Sequence, residues 1–428
     1  MNVFRRNNRV KDRTRVNINV PARWGYYSSF HEAVSPVIFW AQFFGVMPLK
    51  NVRLPDPEHV EFRWRSWRLL GTYAFLIWNF VVSVLFLRYL LLIGITARNT
   101  VSLVFFTMSQ LSYGLFLLLA RKWPKMMAHW LDKESKFLHP PYTSSKDHLK
   151  RDVKLTTVVI GLLAIFEHIM FQASTIYTFY IRVTQCQVES EDYIRLYYTE
   201  HYPHVFSALP YNHVLAVMIQ VLSFTSTFVW NFMDLFIILI SIGLTKRFKQ
   251  LNERLLRAME ENPNRPEAFF REIRLDFITL YDILGYADKE MSFIILLSCL
   301  NNLYFICYQL MNIFQKLRFP INYGYFWMSL LYLMGRSAYL FLQASTIQDV
   351  SRVPVKILAK TPRGVWCTEI DRFLYQIHTE TIALSAMGLF HFTRKLFFSM
   401  VGTFMTIELV IIQFDLTSRD HELPPLCE

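Results

Sequence analysis

Acids, amides and aromatic rings stand inside stretches of this chain that are otherwise apolar. Those are the side chains with chemistry to offer. Stretch 155–181 holds Glu167, His168, Gln172, Ser174 and Tyr177, and stretch 214–244 holds Gln220, Ser223, Trp230, Asn231 and Asp234. Stretch 291–314 holds Asn301, Asn302, Tyr304, Tyr308, Gln309 and Asn312, and 325–347 holds Tyr325, Trp327, Tyr332 and Arg336. At helical spacing Asn301, Tyr304, Tyr308 and Asn312 share one face. Aromatic rings cover the apolar faces of a pyranose, while amides and carboxyls serve its hydroxyls as donors and acceptors. The plainer reading of any single residue is an interhelical hydrogen bond, with Arg336 paired to Glu167 or Asp234. For the group, a pocket open to the outside is the stronger reading. No GxGxxG, P-loop or nucleophile elbow occurs, and no Cys/His spacing suits a metal. The chain therefore reads as no enzyme, with no catalytic residue, no metal and no cofactor.

The elements that must position these residues are membrane helices. Of the 428 residues 53% are hydrophobic, and 38 are Phe, arranged in blocks long enough to cross a bilayer core of about 30 Å. Seven spans are expected, at 69–93, 101–120, 155–181, 214–244, 291–314, 325–347 and 396–414. Lys and Arg alternate between the connections: 12 in 1–68, one in 94–100, nine in 121–154, two in 182–213, nine in 245–290, two in 315–324, seven in 348–395 and one in the tail. Basic connections stay in the cytoplasm, which puts the N-terminus inside and the C-terminus outside. A G-protein-coupled receptor has the opposite orientation. The net charge of +12 is thus a topology signal facing membrane lipid and no nucleic-acid patch. Residues 1–29 have no apolar core, so the first span is expected to serve as its own insertion signal.

Several connections look helical. Stretch 30–46 is broken by His31, Glu32 and Pro36, and reads either as a helix on the membrane surface or as one packed under the bundle. Trp123, Met127, Trp130, Leu131 and Phe137 recur at helical spacing over 123–138. The fourth apolar run continues into KRFKQLNERLLRAMEEN, which predicts one helix projecting into the cytosol. Pro263 and Pro266 mark its turn, and 268–284 returns toward the fifth span. A further helix is expected over 365–382. Cys186 and Cys427 alone fall outside the cell, either as a disulfide or as separate thiols.

The last run, FTRKLFFSMVGTFMTIELVIIQF over 392–414, carries one acid, Glu408, and a small polar face of Gly402, Thr406, Leu409 and Gln413. Its ending, Thr406-Ile407-Glu408-Leu409-Val410-Ile411-Ile412-Gln413-Phe414, resembles the closing signature of insect gustatory receptors, Thr-Tyr, five apolar residues, Gln-Phe. Glu408 matches the acid of the sugar-sensing branch, to which the trehalose receptors belong, and Ile407 stands where the signature has Tyr. The stretch from Ala383 and the run WNFMDLFI from Trp230 are similar to that branch too. The resemblance covers roughly residues 30–414.

It implies an all-α integral membrane protein, an insect chemoreceptor-like ligand-gated cation channel of the plasma membrane, tetrameric alone or with sister sugar receptors, in sensory neurons. It implies a cytoplasmic segment 1–68, a ligand-binding bundle 69–348 including the hairpin 245–290, a cytosolic anchor 349–395, a pore helix 396–414 and an extracellular tail 415–428. The sugar would bind among Glu167, His168, Gln172, Tyr177, Trp230, Asp234, Asn301, Tyr304, Tyr308, Gln309, Asn312 and Trp327. Gln413 and Phe414 would form the gate, Thr406 would line the pore for cations, and Glu408 would support the packing. A metabotropic receptor would need the reverse topology. A transporter would more typically show repeated broken helices, which are absent from the sequence.

Overall fold

The computed structural model describes residues 29–95, 97–142, 148–417 and 427. The described residues form an all-helical, multi-pass membrane protein. The helices are α1 (Phe30–Ala41), α2 (Trp67–Ile93), α3 (Ala97–Glu134), α4 (Leu149–Gln185), α5 (Tyr193–His201), α6 (Pro203–Phe206), α7 (His213–Glu261), α8 (Glu267–Met311), α9 (Pro320–Ser351), α10 (Val353–Leu358), α11 (Thr368–Thr379) and α12 (Arg394–Thr417). Helices α2, α3, α4, α7 and α8 are long and apolar enough to cross a membrane by length and composition. The 32-residue α9 and the 24-residue α12 occupy the other two stretches expected to span.

Helix α7 is the axis of the fold. Asn212 caps it by accepting from the Val214 N–H at 2.8 Å, and no proline interrupts its 49 residues. Its apolar window is 83% buried, against 22% for α4, so α7 runs through the middle and α4 along the rim. It stops at Glu261, and Pro266 precedes the first turn of α8. The expected hairpin is there, and the returning segment and the fifth span are a single helix, α8. The second span and the amphipathic stretch after it are likewise one helix, since Pro124 lies inside α3 without ending it. The helix expected over 365–382 is α11.

The largest group of buried side chains lies where α1, α3, α7, α8 and α11 meet. Of the two readings of the N-terminal stretch, packing under the bundle describes α1. Its Phe30 ring stacks on Trp130 at 4.5 Å, and a Cβ on Gly243 would come within 2.4 Å of that ring. Trp40 at its end and Phe43 in the turn that follows are 63% and 64% exposed.

Cys186, at the end of α4, is bonded to Cys427 beyond α12, while Cys299, Cys307 and Cys367 are free. This joins the connection after α4 to the segment beyond α12. Denatured, unreduced protein should therefore take up three maleimide mass tags, and five after reduction; five tags before reduction would mean separate thiols.

Candidate functional site

A cavity of about 580 Å³ opens where six long helices converge. The apolar wall comes from α2 and α3, through Phe86, Val101, Phe105 and Phe106, with Ser102 between them. Helix α4 adds Glu167, His168 and Phe171; α7 adds Ser223, Thr227 and Trp230. Helix α8 brings Phe305, Tyr308 and Gln309, and α9 brings Tyr325 and Ser329. The volume is in the range that encloses a small organic ligand.

The outer wall is built by α5 and α6. Asp192 starts α5 by accepting from the Ile194 and Arg195 N–H groups at 3.0 Å. Aromatic residues four apart then stack, Tyr197 on His201 at 5.5 Å and Tyr198 on Tyr202 at 6.1 Å. Pro203 opens the single turn of α6, which sets His204 against Phe86 at 4.1 Å. Glu200, His201, Tyr202 and His204 face the cavity from this cover. Sequence reasoning missed them because the segment is too polar to span. The signal was there in Tyr197, Tyr198, His201 and Tyr202 at i, i+4 spacing between an Asp cap and a proline.

Burial pushes His204 down from its ordinary 6.5 to about 3, and the neighbouring His201 acts in the same direction. The unfolded chain takes up a proton at this residue below about pH 6.5, whereas the folded chain does so only near pH 3. The stabilisation is complete above 6.5 and falls as the pH drops toward 3. The thermal midpoint in detergent should decline from pH 7 to pH 5, with a shallower slope for His204→Gln. Identical slopes would show that His204 is not the group responsible.

The polar side chains at the cavity are only partly satisfied by protein. Glu167, 9% exposed, takes the Ser329 Oγ–H at 3.0 Å and the Tyr325 hydroxyl at 3.4 Å on Oε1 alone. Gln309 donates to Ser329 Oγ at 3.1 Å. Three buried atoms of lining residues have no hydrogen-bond partner among the described residues: Trp230 Nε1, Gln309 Oε1 and His204 Nε2. Such a set contains a donor, an acceptor and a group able to serve as either, which suits a ligand bearing hydroxyls. The Trp230 ring lies 4.7 Å from Phe305 and 6.0 Å from Phe105, in the same wall.

Of the residues expected to bind, the fold brings Glu167, His168, Trp230, Tyr308 and Gln309 to the cavity. Gln172 sits a turn outward, its amide 3.3 Å from His168 Nε2. Tyr177 is 40% exposed and edge-on to Phe319. Asp234 lies inside the bundle, paired with Arg336 at 2.8 Å. Asn301 is buried beside a small void with Ser112 and Met233. Tyr304 meets Phe305 edge-on, and Asn312 donates to the Tyr308 carbonyl at 2.7 Å. Trp327 points away from the cavity, 46% exposed. A second, more open chamber of about 470 Å³ shares Glu200, His201 and Tyr325 with the first.

Helix α12 packs on α8 and α9 and leaves Gly402, Thr406, Leu409 and Gln413 exposed in the single chain. Thr406 Oγ1 donates to the Gly402 carbonyl at 3.0 Å. The side chains of Glu408 and Phe414 lie outside the described residues.

The fold is that of insect olfactory receptors. The structure of the olfactory receptor OR5 from Machilis hrabei superposes with a TM-score of 0.64 at 15% identity, over 89% of this chain and 97% of that one. Its complex with eugenol superposes with a TM-score of 0.60 over the same shares. The family model "Trehalose receptor" matches residues 6–427. In Drosophila melanogaster, gustatory receptor for sugar taste 64a is 41% identical, over 93% of this chain and 87% of its own length. Gustatory receptor 5a for trehalose is 30% identical, over 93% and 88%. The chain belongs to the trehalose receptor family of gustatory receptors, a family of receptors rather than enzymes.

Proposed function

We propose that this chain is a sugar receptor that gates a cation path, with the sugar held in the cavity between α4, α7, α8 and α9. The observation that carries it is the set of unpartnered polar atoms on Trp230, Gln309 and His204 around the free side of Glu167, in a wall of aromatic rings. A pyranose offers rings their apolar faces and these atoms its hydroxyls. The Drosophila relatives named for sugar taste and for trehalose support the ligand class. The olfactory-receptor fold and the exposed face of α12 support a pore built from that helix in a tetramer, of this chain alone or with sister receptors. Gln413 and Phe414 would gate it at the outer mouth, with the basic connections in the cytosol of a sensory neuron. Binding must favour the open state by its difference in affinity for the two states.

Cells expressing the chain should pass an inward cation current when given trehalose, sucrose, maltose or glucose, without G proteins or nucleotide. Phe414→Ala should raise the basal leak. Saturable sugar uptake without current would instead mark a transporter. Silence at the surface, both alone and beside a sister receptor, would sink the channel reading.

A further inference from the structure

Directly below the cavity lies a buried charge cluster that no sugar reaches. Arg336 of α9 and Asp234 of α7 have side chains 2% and 0% exposed, with Arg336 Nε 2.8 Å from Asp234 Oδ2. The directed hydrogen bonds on that carboxylate come from α8, from Ser298 Oγ at 2.5 Å and Asn302 Nδ2 at 3.0 Å. The guanidinium spends its other donors on Asn231 Oδ1 and on Asn302 Oδ1. One residue of α9 therefore ties α7 and α8 together. The same guanidinium lies 5.0 Å from the centre of the Trp230 ring, a wall of the cavity.

Helix α9 runs on in both directions. Tyr325 and Ser329, three and two turns above Arg336, hold Glu167 in the cavity. At the other end Asp349 pairs with Arg394 at the first turn of α12, at 2.6 Å, and Phe341 packs on Phe392 just before it at 4.9 Å. We propose that α9 is the arm that carries ligand occupancy to α12, with Arg336 as its pivot on Asp234 and Asn231 and the Asp349–Arg394 pair as its output. This rests on the sugar-gated channel reading above. Physically, a sugar that moves Trp230 and Ser329 alters both contacts on one rigid helix at once. The buried cluster resists sliding and favours discrete arrangements. Arg336 is a positioning residue and touches no ligand.

The test separates binding from gating. Trehalose binding to the purified full chain gives Kd, and current in cells gives maximal response. Arg336→Lys keeps the charge and loses the planar fork. It should leave Kd within about twofold and lower the maximal current on the order of 10-fold, inside the roughly 5–150-fold range of allosteric couplings. The Asp349–Arg394 pair is partly exposed, so Asp349→Arg or Arg394→Asp should cost less, roughly fivefold. The swap carrying both should restore the current, and these surface variants keep the test open if the buried variant misfolds. Kd and current falling together in the folded variants would overturn the inference. So would current unchanged in the single reversals, or current lost only in Phe404→Ala, which would route the signal through the Phe305 and Leu333 contacts. A wild-type chain that neither binds trehalose nor conducts would remove the sugar reading itself, and the inference with it.

Discussion

Glu167→Gln is expected to raise the trehalose concentration for half-maximal current by roughly 10-fold, and Glu167→Leu by roughly 100-fold. Both protein donors at this carboxyl go to Oε1, from Ser329 at 3.0 Å and Tyr325 at 3.4 Å, so Oε2 is left to the cavity. Leaving a buried hydroxyl without its acceptor costs about 1–3 kcal/mol, a range of roughly fivefold to more than a hundredfold that contains both values. Glutamine keeps the shape and offers a donor where an acceptor stood. Leucine removes both and leaves two hydroxyls without their acceptor. Surface expression separates this loss from misfolding. Trp327→Leu and Tyr177→Phe change side chains that do not line the cavity, at 46% and 40% exposure, and should leave the response unchanged. If they weaken it as much as the Glu167 variants do, the sugar does not sit in this cavity.

That contrast also marks what could be read from the letters. Glu167, Trp230 and Asp234 stood out because a polar group in an apolar run must find a partner or water. Spacing tells which residues share a face, but the neighbour across that face is decided by how helices cross. Asp234 and Glu167 were equivalent on paper. In the fold Arg336 reaches one of them, and the other is left at the cavity. Trp327 is as aromatic as Trp230 and lies on the opposite side of its helix from the cavity. The hairpin was legible because two prolines interrupt a long helical pattern between α7 and α8. The cover from Tyr193 to Phe206 was not, because its helices are held by aromatic pairs and a cap rather than by apolar periodicity. The disulfide between Cys186 and Cys427 depends on where two distant segments end, which spacing along the chain leaves open.

The largest loss of stability is expected at Glu134→Ala, far from the cavity. The first N–H groups of a helix have no partner within it and carry its positive dipole end. In α1 the Phe30 N–H is met by Glu134, at 3.1 Å from Oε1 and 3.0 Å from Oε2. The same carboxylate takes Arg247 Nε at 2.7 Å, with side chains 0% and 1% exposed. Three helices thus meet at one carboxylate: the start of α1, the end of its own α3, and the interior of α7. Removing it strands a guanidinium in the core and costs about 3–5 kcal/mol, whereas an apolar pair of similar volume is often neutral or better. Glu134→Ala should abolish the monodisperse peak of the detergent-purified chain and its surface expression. Glu134→Met with Arg247→Met should recover most of the thermal midpoint, and the shortfall measures what the Phe30 N–H gained from the carboxylate. The buried Gln250 also loses the Arg247 Nη1 donor, 2.9 Å from its Oε1, in that pair, which adds to the shortfall. A Glu134→Ala chain as stable as the wild type would mean that α1 is held by its apolar contacts with Trp130 and Gly243 alone.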